Sequence, residues 1–124
     1  MKTVTKKDYI FEGFNIRVRT PEGTIYVIIS VDQSEEPKYI FISAGKGGQA
    51  LAILVNAMAN MINKMLDVGI SISTIIRCLD TPYSPKYAQN DNGIRIHSVP
   101  HGIQWALIQF LQLKTNSIKL NVAS

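Results

Sequence analysis

The chain holds a single cysteine, Cys78. One thiol cannot build a disulfide framework or a cysteine zinc site, and a lone thiol suits a reducing compartment. Charge is scarce as well. Asp, Glu, Lys and Arg make up 18% of 124 residues, below the usual quarter. The start, MKTVTKKDYIFEG, lacks the apolar core of a signal peptide. The most apolar segment, residues 48–66, carries Asn56, Asn60, Asn63 and Lys64, which makes it a poor membrane span. A cytoplasmic protein is the expectation. Paired carboxylates for acid–base work are missing too: Asp32, Glu35 and Glu36 crowd one loop and read as a solvated turn.

What is present is apolar. Hydrophobic residues make up 46% of the chain, and the net charge is +4 with a pI of about 9.3. The positive balance suits an anionic partner, or solubility alone. The length is that of one domain, residues 1–124, and no repeat or linker divides it. Low charge beside high hydrophobicity leads us to expect a homo-oligomer that covers apolar surface.

Periodicity predicts an α+β fold: an antiparallel meander packed against two long apolar helices. Phe14–Thr20 alternates with its arginines on the wet side. Pro21-Glu22-Gly23 makes a tight turn. Thr24–Val31, β-branched on both sides, is a central strand, and Lys38–Ser43 is the next. From Gly48 to about Val68 the period is helical and apolar on nearly two faces, with a narrow stripe of Asn56, Asn60, Asn63, Lys64 and Asp67. Gly69 ends it, and Ser71 or Ser73 caps a short helix, Thr74–Leu79. Residues 80–92 form a polar loop. Gly93–His97 alternates as a fourth strand, and Ser98 caps a helix from Val99 to about Leu113. That helix lacks any charged side chain and again has surplus apolar surface. Ser117–Val122 alternates and is expected to add a strand to a sheet edge.

Several residues suggest a binding site. Gly45-Lys46-Gly47-Gly48 lacks the spacers and hydroxyl of a nucleotide-hydrolase phosphate loop, and no parallel unit surrounds it. Lys46, Gly47 and Gly48 remain an anion site at a helix start, or a turn that needs positive backbone angles. Ser98 and His101 resemble part of a nucleophile pair, but no acid stands near to orient them and an N-cap serine spends its hydroxyl on the helix. A ligand contact fits them better. His97 and His101 straddle a strand end, with no further zinc ligand at hand. Arg17, Arg19, Arg77, Lys86 and Arg95 can face phosphates, while Tyr83, Tyr87 and Trp105 can stack on a base. Asn92 sits in the polar loop expected to line the same pocket. The basic residues are scattered and no RNA-type aromatic pattern appears along the chain, so a nucleic-acid partner is not expected.

Taken in order, Gly23-Thr24-Ile25-Tyr26-Val27, Gly45-Lys46-Gly47-Gly48, Ala57, Ile62, Gly69 and Ser98-x-Pro100-His101-Gly102-Ile103-x-x-Ala106-Leu107 resemble the TSCPD domain. That domain is the small C-terminal module of adenosylcobalamin-dependent ribonucleotide reductases and also occurs as short free-standing proteins. The resemblance covers about residues 14–113. Two positions depart from the family: its usual Pro-Asp is here Pro100-His101, and its Cys before the proline is Val99. The reductase barrel with its radical cysteines is absent, so reductase chemistry does not carry over.

Among free-standing members the chain is similar to the phage Thoeris anti-defence proteins of the first type. That resemblance implies a non-enzymatic sponge, with no cofactor and no metal. Such a sponge holds a small anionic cyclic nucleotide between copies of the chain. An accessory module of ribonucleotide reductase, acting by protein or nucleic-acid contact, is the alternative.

Overall fold

The computed structural model describes residues 13–34, 36–46 and 48–123, with residues 92 and 115–123 as backbone only. Three strands, β1 (Gly13–Thr20), β2 (Gly23–Val31) and β3 (Pro37–Ala44), form an antiparallel sheet in sequence order. Alternation sorts their side chains. Val18, Ile25, Val27, Ile29, Ile40 and Ile42 turn to one face and are buried. Helices α1 (Gly48–Asp67), α2 (Ile72–Cys78) and α3 (Val99–Ala123) complete the fold. This is the α+β domain that the periodicity predicts.

The two long helices pack on the buried face, α1 over β3 and α3 over β1 and β2. Helix α1 lies on β3 through Leu51, Val55, Ala59 and Ile62, one stripe at helical spacing. Its opposite side stays bare, with Ile53 62% and Met61 60% exposed. Helix α3 differs. Val99, Ile103, Ala106, Leu107 and Phe110 are almost fully buried, because the sheet covers one side and α2 another. The surplus expected on both helices is therefore absorbed within the chain on α3 and left uncovered on α1.

Local chemistry sets the ends. Gly69 follows α1 at φ 87, a left-handed angle that stops the helix. The Ser71 hydroxyl accepts from the Thr74 N–H at 3.2 Å, so Ser71 rather than Ser73 caps α2. The Gln104 amide donates to the Ile76 carbonyl at 2.9 Å and to the Asp80 carboxylate, tying α3 to the end of α2. Lys114 bridges to Glu36 at 3.1 Å.

Each edge strand is met by one asparagine. On β3, the Ile40 N–H donates to Asn63 Oδ1 at 2.7 Å, and Asn63 Nδ2 donates to the Ile40 carbonyl at 2.8 Å. On β1, Asn90 makes the same pair with Arg19, at 2.8 and 3.0 Å. An amide side chain thus imitates a neighbouring strand and occupies edge groups that otherwise invite pairing with another chain. We expect Asn63→Ala to destabilise the protein by about 2 kcal/mol, since it strands a donor and an acceptor together. Urea unfolding checks this, and a change under about 0.5 kcal/mol would show that water replaces the amide without loss.

Two sequence expectations are corrected. Residues 117–122 do not form an edge strand, because α3 continues to Ala123. No glycine or proline follows Gly102 to stop it, and extending a helix costs less than starting a new element. The fourth strand also shrinks from Gly93–His97 to β5, Arg95–Ile96, which pairs with β4, Ala88–Gln89, outside the main sheet. Gly93 has φ 75 and closes a 3-10 turn, Asp91–Gly93, which breaks the alternation.

Candidate ligand-binding site at the start of α3

Seating α3 on the sheet brings its first turn against the β1–β2 hairpin. A Cβ on Gly102 would stand 3.1 Å from Thr20 and 3.2 Å from Val18. Phe110, two turns on, meets Phe14 edge-on with ring centroids 5.1 Å apart. The chain segment 80–97 then crosses beside that first turn. Val99 is 2% exposed, so the residue standing where the family has cysteine fills the core.

Three flat rings gather there. Tyr83 stacks on His97 with centroids at 4.4 Å and on His101 at 4.7 Å, with interplanar angles of 10° and 24°. Tyr87 lies 5.7 Å from His97, and the Arg95 guanidinium sits 4.7 Å over the Tyr87 ring. Tyr83 is 64% exposed, so the stack faces solvent.

Hydrogen bonds orient both imidazoles. The His97 main-chain N–H donates to His101 Nδ1 at 3.0 Å, so Nδ1 carries no proton. The ring proton of His101 then sits on Nε2, 3.2 Å from Tyr83 Oη. His97 Nδ1 donates to the Ser84 carbonyl at 3.0 Å. Burial, and then the neighbouring His97, hold the His101 pKa below the ordinary 6.5.

The sign of the pH effect follows. Just below pH 6.5 the unfolded chain takes up a proton at position 101 that the folded chain refuses. Stability from this group is complete above 6.5 and falls as pH drops through the lowered folded value. His101→Asn keeps an acceptor for the His97 N–H and does not titrate. We expect the stability difference between the parent and this variant to move against the parent from pH 7 to pH 5, read from urea midpoints. A difference that does not change with pH would show that His101 titrates as in the unfolded chain.

One turn along, Trp105 follows His101 on the same side of α3. It joins Arg17, Arg19, Asn90 and Asp91 around a cleft of about 220 Å³. Arg19 reaches Asp91 at 4.0 Å and the Gln89 carbonyl at 3.4 Å, both long contacts. Rings and guanidiniums therefore form one strip from Tyr83 to β1.

Of the residues singled out in the sequence, Tyr83, Arg95, Ser98, His101 and Trp105 come together on this strip. Ser98 is spent as a cap: its hydroxyl accepts the His101 N–H at 3.1 Å, and neither imidazole bonds to it. Arg77 stands apart on α2, with its guanidinium on Thr74 at 3.4 Å. Lys46 and Gly48 lie at the β3–α1 turn, where Gly48 has φ 86 and nothing within 4 Å of a Cβ. That position needs its backbone angle, as a turn does. Gly47 lies outside the described residues, and so does the side chain of Asn92.

Asn90 and Asp91 escaped sequence reasoning. His97 entered it only in a zinc pairing that the spacing disfavours, whereas Tyr87 was named as a stacking ring and Arg17 and Arg19 as phosphate contacts. The usable signal was Arg17 and Arg19 two apart on one strand face. The acids of the β2–β3 loop are turn formers: Asp32 Oδ1 accepts from the Ser34 hydroxyl at 2.7 Å and from the Glu36 N–H at 3.0 Å. These bonds, the Ser34 hydroxyl first, hold its carboxyl below the usual range. Among the described residues, no three His, Cys, Asp or Glu side chains gather to hold a metal. No helix among them is long and apolar enough to cross a membrane.

Compared with known proteins, the chain matches the family model of the TSCPD domain over residues 3–111. Neither the curated proteins nor the solved structures give a match.

Proposed function

Because the chain belongs to the TSCPD domain family, we propose that it acts as a non-enzymatic sponge for a cyclic nucleotide immune signal. The signal is of the cyclic ADP-ribose class made by TIR-domain enzymes, as for the phage Thoeris anti-defence proteins that the sequence resembles. The observation that carries this reading is the strip from Tyr83 through His97, His101 and Trp105 to Arg17.

A cyclic ADP-ribose isomer presents one adenine, two riboses and a pyrophosphate. The exposed rings suit the base, and Arg95 and Arg17 suit the phosphates. Submicromolar retention needs about 8 kcal/mol. A few charge-assisted hydrogen bonds at about 1.5–3 kcal/mol each and one stacked base at about 1–3 reach that sum. The Ser98 hydroxyl is held by the His101 N–H, and the His101 ring by the His97 N–H and Tyr83, an arrangement that holds a guest without attacking it.

The uncovered side of α1, with Ile53, Leu54 and Met61, is the surface that copies of the chain share. Assembly narrows an open strip into a closed pocket, which lowers the ordering cost of binding.

The test is to saturate the protein with a cyclic ADP-ribose isomer, remove the excess, and denature the protein by heat. Chromatography of the supernatant should return the ligand intact, and a linear or hydrolysed product would overturn the reading. Tyr83→Ala should weaken retention about tenfold, the worth of one stacked base.

A further inference from the structure

The helices all pack against one face of the β1–β2–β3 sheet. The opposite face is assembled by register. Arg17 pairs with Tyr26 across β1–β2, and Ile28 pairs with Phe41 across β2–β3. Tyr39 lies two residues from Phe41 on the same side of β3. Tyr39 is 51% and Phe41 52% exposed, a rare state for aromatics on a flat sheet. A Cβ on Gly45 would make ordinary contact with the Tyr26 ring at 3.5 Å, which places that ring over the strand end. The strand residues turned to this face include Arg17 and Arg19 and no aspartate or glutamate.

We propose that this face binds single-stranded nucleic acid, holding its phosphates at the β1 edge and stacking bases on β2 and β3. The occupant follows from charge and shape together. No acid of the strands opposes Arg17 on this face, and Arg19 beside it meets Asp91 only at 4.0 Å, so the β1 edge favours a polyanion. β1 and β3 stand about 10 Å apart, two strand spacings, which places bases over Tyr26 and Phe41 when their phosphates sit on Arg17. A duplex buries its base faces and cannot use these rings. Stacking and phosphate contacts accept any base, so binding is indifferent to sequence. The linear sequence argues against such a partner because its basic residues scatter, and the strand register adds that Arg17 stands opposite Tyr26 on one face.

This binding uses other rings than the sponge reading, since the Tyr83 strip and the sheet face share only Arg17 and Arg19. The experiment is fluorescence anisotropy of the full chain with a labelled oligothymidylate of about 12 nucleotides, at low and moderate salt. Phe41→Ala and Tyr39→Ala should each weaken binding about tenfold. Arg17→Ala should reduce the slope of log affinity against log salt by about 0.7. A duplex of equal length should bind more weakly. The proposal is overturned if the oligonucleotide fails to bind at low salt, if the duplex binds as tightly, or if both aromatic variants bind like the parent. Loss of an oligomer in Phe41→Ala with unchanged oligonucleotide affinity also overturns it and makes the face a protein interface. Both aromatics are exposed, so their removal leaves the core intact, and thermal unfolding of the variants verifies this.

Discussion

Replacing Gly102 by valine should lower stability by about 3 kcal/mol, the upper range for overpacking. The position is a buried helical glycine with Thr20 Cγ2 3.1 Å, Val18 Cγ1 3.2 Å and Ile96 Cγ2 3.4 Å from a built Cβ. All three neighbours are β-branched side chains in strands, with little rotamer freedom to retreat. Valine adds two further carbons where not even the first fits comfortably. Alanine is the graded control. It requires a few tenths of an ångström from Thr20 and Val18, yet gains up to about 1 kcal/mol of helix propensity over glycine. We therefore expect Gly102→Ala to be near neutral and Gly102→Val to shift the urea midpoint sharply. If valine were tolerated within about 0.5 kcal/mol, α3 would not rest on the hairpin as described. The ring cluster grows from the same helical turn, so the valine variant should also lose ligand retention before it unfolds completely.

The second large effect lies at the far side of the same contact. Phe110→Ala should cost about 4 kcal/mol. Phe110 is fully buried and meets Phe14 edge-on at 5.1 Å, so truncation removes both transfer energy and a ring pair. A domain of this size has roughly 5–15 kcal/mol in all, and the variant should sit near its threshold. Phe14→Ala should cost less, because Phe14 is only partly buried. A double-mutant cycle should isolate about 0.5–1.5 kcal/mol of coupling between the rings. Zero coupling would mean that the two rings are neighbours without mutual stabilisation. Urea denaturation at fixed protein concentration reads all of these values, because self-association would otherwise add to stability.

The strands and helices were legible in the sequence wherever the period was sustained. Val18, Ile25, Val27, Ile29, Ile40 and Ile42 are the inward half of three alternating runs, and all are buried. The stripe Leu51, Val55, Ala59, Ile62 follows the helical period just as plainly. Short patterns misled. Ser117–Val122 alternates over too few residues to outweigh helix propagation, and Gly93–His97 is interrupted by the left-handed angle at Gly93. The polar stripe on α1 was recognised, but not that Asn63 leaves it to bond the main chain of Ile40.

Sequence alone settled the fold class, the family motifs, the absence of a disulfide and the apolar surplus of the two long helices, because each depends on local composition and period, while packing decided that the surplus stays bare on α1. Tertiary structure decided which polar residues act together. Tyr83 and His101 are far apart in the chain's covalent path yet share a stack at 4.7 Å, and Arg19 and Asn90 are 71 residues apart yet share two hydrogen bonds. Such meetings arise from how α3 docks on the hairpin and how residues 80–97 cross it. They are set by the packing of the whole core, and no local periodicity encodes them.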